Sequence, residues 1–177
     1  MSGHNKWSKI KHKKAGTDAA KSKIFSKMAK LISTASRQVK GDTSSPILRA
    51  AIEKAREYNM PADNIDRAVK QGFTSTENLE PITYESYGPG GSALIIEALT
   101  SNRNKAAQEI KFILSKHGFS LAGQGSATWA FTREPTTNDL QPNTTIPLSE
   151  EDGKILEALI EELEDNDEVQ DVYTNAE

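Results

Sequence analysis

At 177 residues, with 36% hydrophobic and 27% charged content, the chain has room for one or two small domains with modest cores. It contains no cysteine, which excludes disulfides, thiolate catalysis and cysteine-bound zinc, and no apolar run near the roughly 20 residues of a membrane span. A net charge of -3 hides a strong polarity: the first forty residues hold eleven of the 22 Lys and Arg against one acid, Asp18. That is a formal +10, so the remainder carries -13. The polar, lysine-rich beginning has no apolar stretch behind it, unlike a secretory signal, and is poor in Arg, unlike a mitochondrial presequence. A cytoplasmic protein is expected.

Within residues 1–16 the only large apolar side chains are Trp7 and Ile10, set among Lys6, Lys9, Lys11, His12, Lys13 and Lys14. Like charges this dense repel one another, so the segment reads as an extended arm that tracks phosphate. Trp7 is either anchored in the core or stacked on a base. A helical period runs over residues 18–39, with Ile24, Met28, Leu31, Ile32, Ala35 and Val39 on one stripe. Lys23, Lys27, Lys30 and Arg37 follow the same spacing about half a turn away, Lys21 adds a further cation, and Gly41 offers a stop. One face is expected to be oily and the other cationic. Membrane binding is the weakest use of such a helix here, because Phe25 is the only aromatic residue beside the stripe.

Ser45 and Pro46 open a second helix whose apolar face is Leu48, Ala51, Ile52 and Ala55. Pro61 opens a third over residues 62–71, with Ile65 and Val69 inward and Gly72 ending it. Polar residues follow as a linker, and the hydrophobic period then changes from 3.6 to 2. Residues 82–99 read as a β-hairpin around Gly88-Pro89-Gly90-Gly91. That glycine run lacks the Lys-Ser/Thr pair of a phosphate loop and is read as a turn only. A helix over 103–117, a strand at 126–132 around Trp129 and Phe131, a loop at 134–144, a short strand at 145–148, a helix from Ser149 and a last strand at 169–173 complete the chain. The predicted class is α+β. A basic arm and three-helix domain (1–73) and a linker (74–80) precede a ferredoxin-like α/β sandwich (81–177), βαββαβ with an extra N-terminal hairpin strand.

Several ordered strings carry a resemblance. They include Gly3-His4-Asn5-Lys6-Trp7 through Lys14, Lys23-Ile24-Phe25, Leu48-Arg49-Ala50-Ala51-Ile52 and Asn59-Met60-Pro61 with Asp63-Asn64-Ile65. Tyr84, Tyr87 to Gly91, Glu97-Ala98-Leu99, Asn102-Arg103-Asn104 and Ser115-Lys116-His117-Gly118 continue in the same order. The chain resembles the YebC/PmpR family of probable transcriptional regulatory proteins, related to a mitochondrial translational activator of cytochrome oxidase. The resemblance implies DNA binding and transcription regulation, or RNA binding and translation regulation on the ribosome, where members ease proline-rich stretches. It also implies a departure, because the family's third α/β domain is replaced here by the loop at 134–144.

The leading functional expectation is therefore a non-catalytic regulatory factor that binds DNA or ribosomal RNA. Its expected contacts are Lys6, Trp7, Lys9, Lys11, His12, Lys13, Lys14, Lys21, Lys23, Lys27, Lys30 and Arg37. Asn102, Arg103, Asn104 and Lys105, at a helix start, form a secondary phosphate site or simply a helix cap. Twelve acids against Lys154 alone in the last 33 residues suggest, as an alternative, a protein-interaction module. A metal-dependent enzyme acting on nucleic acid, built on Asp165, Asp167, Glu168 and Asp171, is the third reading. No cofactor, metal, membrane or small-molecule substrate is expected.

Overall fold

The computed structural model describes Trp7 and residues 17–177, which form two compact units. Residues 17–79 make the helical unit, and Glu80–Glu177 together with Trp7 make the other.

In the helical unit Thr17 caps α1 (Asp18–Gln38), its hydroxyl accepting from the Ala20 N–H at 3.1 Å. The helix ends where Gly41, at φ 79°, donates to the Ser36 carbonyl at 2.9 Å. Pro46 opens α2 (Pro46–Glu57), and Pro61 precedes α3 (Ala62–Thr74). Met28, Ile32, Leu48, Ile52, Met60 and Ile65 form the core, each burial worth about 1.5–3 kcal/mol. The helix expected to end at Gly72 instead runs on to Thr74, with the glycine inside it. A Cβ at Gly72 would lie 2.5 Å from the Ser33 carbonyl oxygen and 2.6 Å from the Ser36 Cβ. Gly72 therefore permits the close approach of α3 to α1, which the Ser36 hydroxyl ties by donating to the Val69 carbonyl at 2.7 Å.

After residues 75–79 the chain enters a hairpin of β1 (Glu80–Tyr87) and β2 (Ala93–Thr100), paired from Glu80↔Thr100 to Tyr87↔Ala93. Its turn is the glycine run, as the sequence predicts. Helix α4 (Arg103–Lys116) leads to β3 (Leu121–Ala122), which pairs with β1 at Glu85 and Ser86. A 3-10 turn at Thr128–Ala130 precedes a separate ribbon of β4 (Phe131–Arg133) and β5 (Leu140–Pro142). Helix α5 (Glu150–Asp165), capped by Ser149, delivers β6 (Val169–Thr174) to the free side of β2.

The sheet order is β3-β1-β2-β6, with every neighbouring pair antiparallel. Strands β2 and β3 are thus parallel, joined through α4, with β1 between them, which is the split βαβ of a ferredoxin-like sandwich. The hairpin strand expected to be additional therefore fills the middle position. Residues 145–148, expected as a strand, make only a bridge from Ile146 to Ala176. The two places beside β2 that such a strand could take are filled by β1, which pairs along its whole length, and by β6. Residues 126–132 likewise are a turn plus a short ribbon strand and not one strand of the sheet.

Strand β2 is covered on both faces, which explains why its sequence is a continuous apolar run and not an alternation. Leu94, Ile96 and Ala98 meet the helix residues Ile110, Leu114, Leu156 and Leu159. Ala93 and Ile95 meet Ala127, Ala130 and Phe131 on the opposite face. Trp7 is 5% exposed and belongs to the first of these cores. Trp7, expected in the helical domain's arm and among the nucleic-acid contacts, is instead part of the sandwich core: a ring packed in the cluster of Leu94 and Ile110 has no face open for a base.

Candidate nucleic-acid interface

Lys6, Lys9, Lys11, His12, Lys13 and Lys14, the arm's expected phosphate contacts, lie outside the described residues. The remaining expected cations sit on α1. Lys21 is exposed, Lys23, Lys30 and Arg37 are half-buried, and Lys27 is buried at 5% exposure. The expected clean division between an oily and a cationic face therefore fails at Lys27. At roughly 100° per residue Lys27 projects only about 40° from Leu31, inside the margin of the apolar stripe. Lys23, Lys30 and Arg37 recur every seven residues and form one row on the side away from Met28 and Ile32. Arg37 is held in place, its guanidinium donating to the Ser75 carbonyl beside a small polar recess lined by Ser33, Thr34, Gln71 and Glu77.

The second expected site is brought together but is largely occupied by the chain itself. Asn102 caps α4, its side-chain oxygen accepting from the Lys105 N–H at 3.1 Å. The Lys105 ammonium lies 3.1 Å from Glu168 and 4.0 Å from Glu109, and its hydrogen bond to Glu168 raises its pKa. Arg103 is 3.8 Å from Glu80, and Asn104 is exposed. The capping reading accounts for Asn102, and two of the three remaining members face carboxylates.

Other titratable groups serve packing. His117 shares a 2.6 Å hydrogen bond with Glu162, which also accepts from Lys116 at 2.8 Å, tying α4 to α5 and holding the Glu162 carboxyl below its ordinary pKa. Among the described residues no group of three or more His, Cys, Asp or Glu is placed to hold a metal ion, and no helix is long and apolar enough to cross a membrane.

One cluster escaped the sequence reading. Glu85, in β1, is 4% exposed and accepts from the backbone N–H groups of Gly125 at 2.6 Å, Ala127 at 2.9 Å and Thr128 at 2.8 Å. Burial works to raise its pKa, but the N–H groups of Ala127, Gly125 and Thr128 outweigh it and hold the carboxyl below its ordinary range. The loop so fixed carries Trp129, 60% exposed, whose indole N–H donates to the Ser126 carbonyl at 2.8 Å and to the Tyr87 hydroxyl at 3.0 Å. The Tyr87 hydroxyl itself donates to Ser126. The strand expected at 126–132 is broken by the 3-10 turn at Thr128–Ala130, and it is this turn that carries Trp129.

Comparison with known proteins covers nearly the whole chain. Residues 5–75 match the family model described as the TACO1/YebC protein N-terminal domain, and residues 79–138 and 134–176 match the TACO1/YebC second and third domain. A probable transcriptional regulatory protein of Fervidobacterium nodosum is 53% identical over 137 residues, 76% of this chain and 54% of that protein. One from Thermoanaerobacter pseudethanolicus is 37% identical over 239 positions, 100% of this chain and 97% of the relative. The crystal structure of a conserved hypothetical protein from Aquifex aeolicus superposes with a TM-score of 0.78 at 27% identity, covering 90% of this chain and 91% of that one. The chain spans about half the length of relatives such as that of Fervidobacterium.

Proposed function

The chain belongs to the TACO1/YebC family, and on that premise we propose that it is a non-catalytic regulatory factor of gene expression that binds nucleic acid through its basic amino-terminal region. The relatives' name, probable transcriptional regulatory protein, supports the regulatory part. The observation that carries the binding part is the excess of eleven cations over one acid in the first forty residues. Such a density displaces counterions from a phosphate backbone, and within a Debye length of roughly 8 Å it outweighs the acidity of the rest. The row of Lys23, Lys30 and Arg37 extends the same chemistry onto a folded helix. Phosphate contacts position a protein without reading sequence, so weak sequence preference is expected. That favours structured RNA, ribosomal RNA included, over a DNA operator, and a cytoplasmic site of action.

The test is reversal of Lys9, Lys11, Lys13 and Lys14 to Glu, with binding of a labelled RNA hairpin and a DNA duplex followed by anisotropy at low salt. Affinity is expected to fall at least about tenfold, since each phosphate contact contributes to the counterion term. Affinity within twofold of the parent would remove the arm from the site. Deleting residues 1–40 is a poorer test, because it also strips Trp7 from the sandwich core.

A second reading rests on the acidic sandwich, whose last 33 residues carry twelve acids against Lys154. It makes that surface a contact for a basic protein, and binding to such a partner would survive the arm's charge reversal. We also infer that the additional domain of the longer relatives is missing between the two matched segments, which meet at residues 134–138. An alignment of 239 positions against 177 residues must open a long gap, in agreement with that reading.

A further inference from the structure

The aromatic corner of Tyr87 and Trp129 is unexplained by phosphate binding, and its construction is informative. Both rings have their polar ends turned onto one acceptor, the Ser126 carbonyl, so the surface they leave exposed is apolar ring. Their exposures are 38% and 60%. The backbone beneath is pinned by the three N–H bonds to buried Glu85. An exposed Trp on a mobile loop would lose rotamer freedom on binding; this one is already held, which lowers the entropic cost of a contact.

Charge around the corner is equally particular. The sandwich unit is acidic as a whole, yet residues 86–96 and 121–132 contain no charged side chain at all. Glu85, the carboxylate bonded to the loop that carries Trp129, is buried and saturated with donors, and the Asp152 carboxylate lies by Gly90 in the hairpin turn. The two segments that carry Tyr87 and Trp129 thus add no charge of their own to repel a neutral, flat group.

We propose that Tyr87 and Trp129 form a stacking platform for an unpaired nucleobase, so that the protein engages single-stranded or looped-out nucleotides in addition to backbone phosphate. This rests on the nucleic-acid reading above and specifies its substrate class. Every base has a π-face, so such a platform is tolerant of sequence, and each stacked base is worth about 1–3 kcal/mol by alanine substitution. Phosphate attraction comes from the lysine-rich region and the base contact from the corner, and a duplex, with its bases already stacked, gains nothing from the second.

Full-length protein is titrated with oligouridine, which is unstructured, and with an RNA duplex of equal charge. Emission and anisotropy are read together. The chain has two tryptophans and Trp7 is buried, so a quench of emission reports on Trp129. Oligouridine is expected to quench, and Trp129→Ala to weaken oligouridine by about tenfold while duplex affinity stays within twofold. Trp129→Phe, which keeps a ring, is expected to restore most of the loss. Circular dichroism and urea midpoints establish that the variants are folded, and Tyr87→Phe, which removes only the hydroxyl, gives an intermediate loss. Oligouridine binding without a quench, or unchanged by Trp129→Ala, overturns the platform and leaves phosphate binding standing. Equal loss on both probes also overturns it, as does duplex binding with no single-strand binding, which would leave the corner to a protein contact. Failure of the parent protein to bind either probe overturns the nucleic-acid reading itself.

Discussion

Glu85→Gln isolates the device that shapes the sandwich's aromatic corner. The carboxylate uses Oε1 to accept from Ala127 and Thr128 and Oε2 to accept from Gly125. Glutamine has the same shape and can keep the first pair, but its NH2 then faces the Gly125 N–H, donor against donor. Hydrogen bonds to a charged group are worth about 1.5–3 kcal/mol, and a stranded buried donor costs about 1–3 kcal/mol, so a destabilisation of about 2–4 kcal/mol is expected at neutral pH. Urea unfolding followed by tryptophan emission measures it. With m about 2 kcal/mol/M the midpoint should fall by about 1–2 M. The pH dependence provides the sharper test. Because the folded carboxyl titrates below the unfolded one, its contribution is complete above the unfolded pKa of about 4.3 and is lost as pH falls through the lower folded value. Parent and variant should therefore converge on acidification. A difference that is absent at pH 7, or that persists undiminished well below that window, would refute the reasoning.

Three other outcomes follow from the same geometry. If four to seven of the amino-terminal cations touch phosphate, log affinity for duplex DNA against log salt should have a slope of roughly -4 to -6; a flat dependence excludes the phosphate grip. Gly72→Ala drives a Cβ to 2.5 Å from the Ser33 carbonyl, so α3 must move off α1, and loss of about 1–3 kcal/mol is expected in thermal or urea unfolding, as for other overpacked sites. Trp7→Ala should cost about 3–5 kcal/mol through the cavity it leaves beside Leu94 and Ile110, while oligouridine affinity of the folded fraction, measured by anisotropy, stays unchanged.

Much of the fold was legible because its signals are local. Apolar spacing placed α1, Pro46 and Pro61 opened the next two helices, and Ser149 capped α5 where the side chain does accept from the Asp152 N–H. What depended on tertiary pairing was not legible. Nothing in residues 82–86 tells whether their strand is an edge or the middle of a sheet, since position comes from which strand β3 chooses, a matter of two residues. Gly72 looked like a stop because a glycine between polar residues usually is one, and only the approach of α1 reveals its role. Lys27 was misplaced for a related reason: the period predicts a direction but not how far neighbouring segments reach around the helix. Glu85 is the extreme case, since a carboxylate in an alternating strand reads as solvent-facing, and its donors lie some forty residues away in sequence.

The ribbon of β4 and β5 is closed at a tip that tolerates a change of length. Its two strands close through a tight turn in which the Asn138 N–H donates to the Glu134 carbonyl and the Glu134 N–H to the Asp139 carbonyl, both at 2.8 Å. Arg133 bonds Asn138 and Glu97 at 2.5 Å, and the Tyr173 hydroxyl donates to Asp139 at 3.1 Å, so the turn is tied to the sheet from two sides. The matched family segments meet at residues 134–138, at the end of the ribbon and not in its ladder. Adding or removing chain at a hairpin tip breaks no strand pair, and loop-closure entropy grows only slowly with length. Phe131 and Leu140, on the two strands of the ribbon, pack in the cluster that holds Ile95. The proposed base contact rests on Tyr87 and Trp129, which lie outside this tip and are held by Ser126 and Glu85.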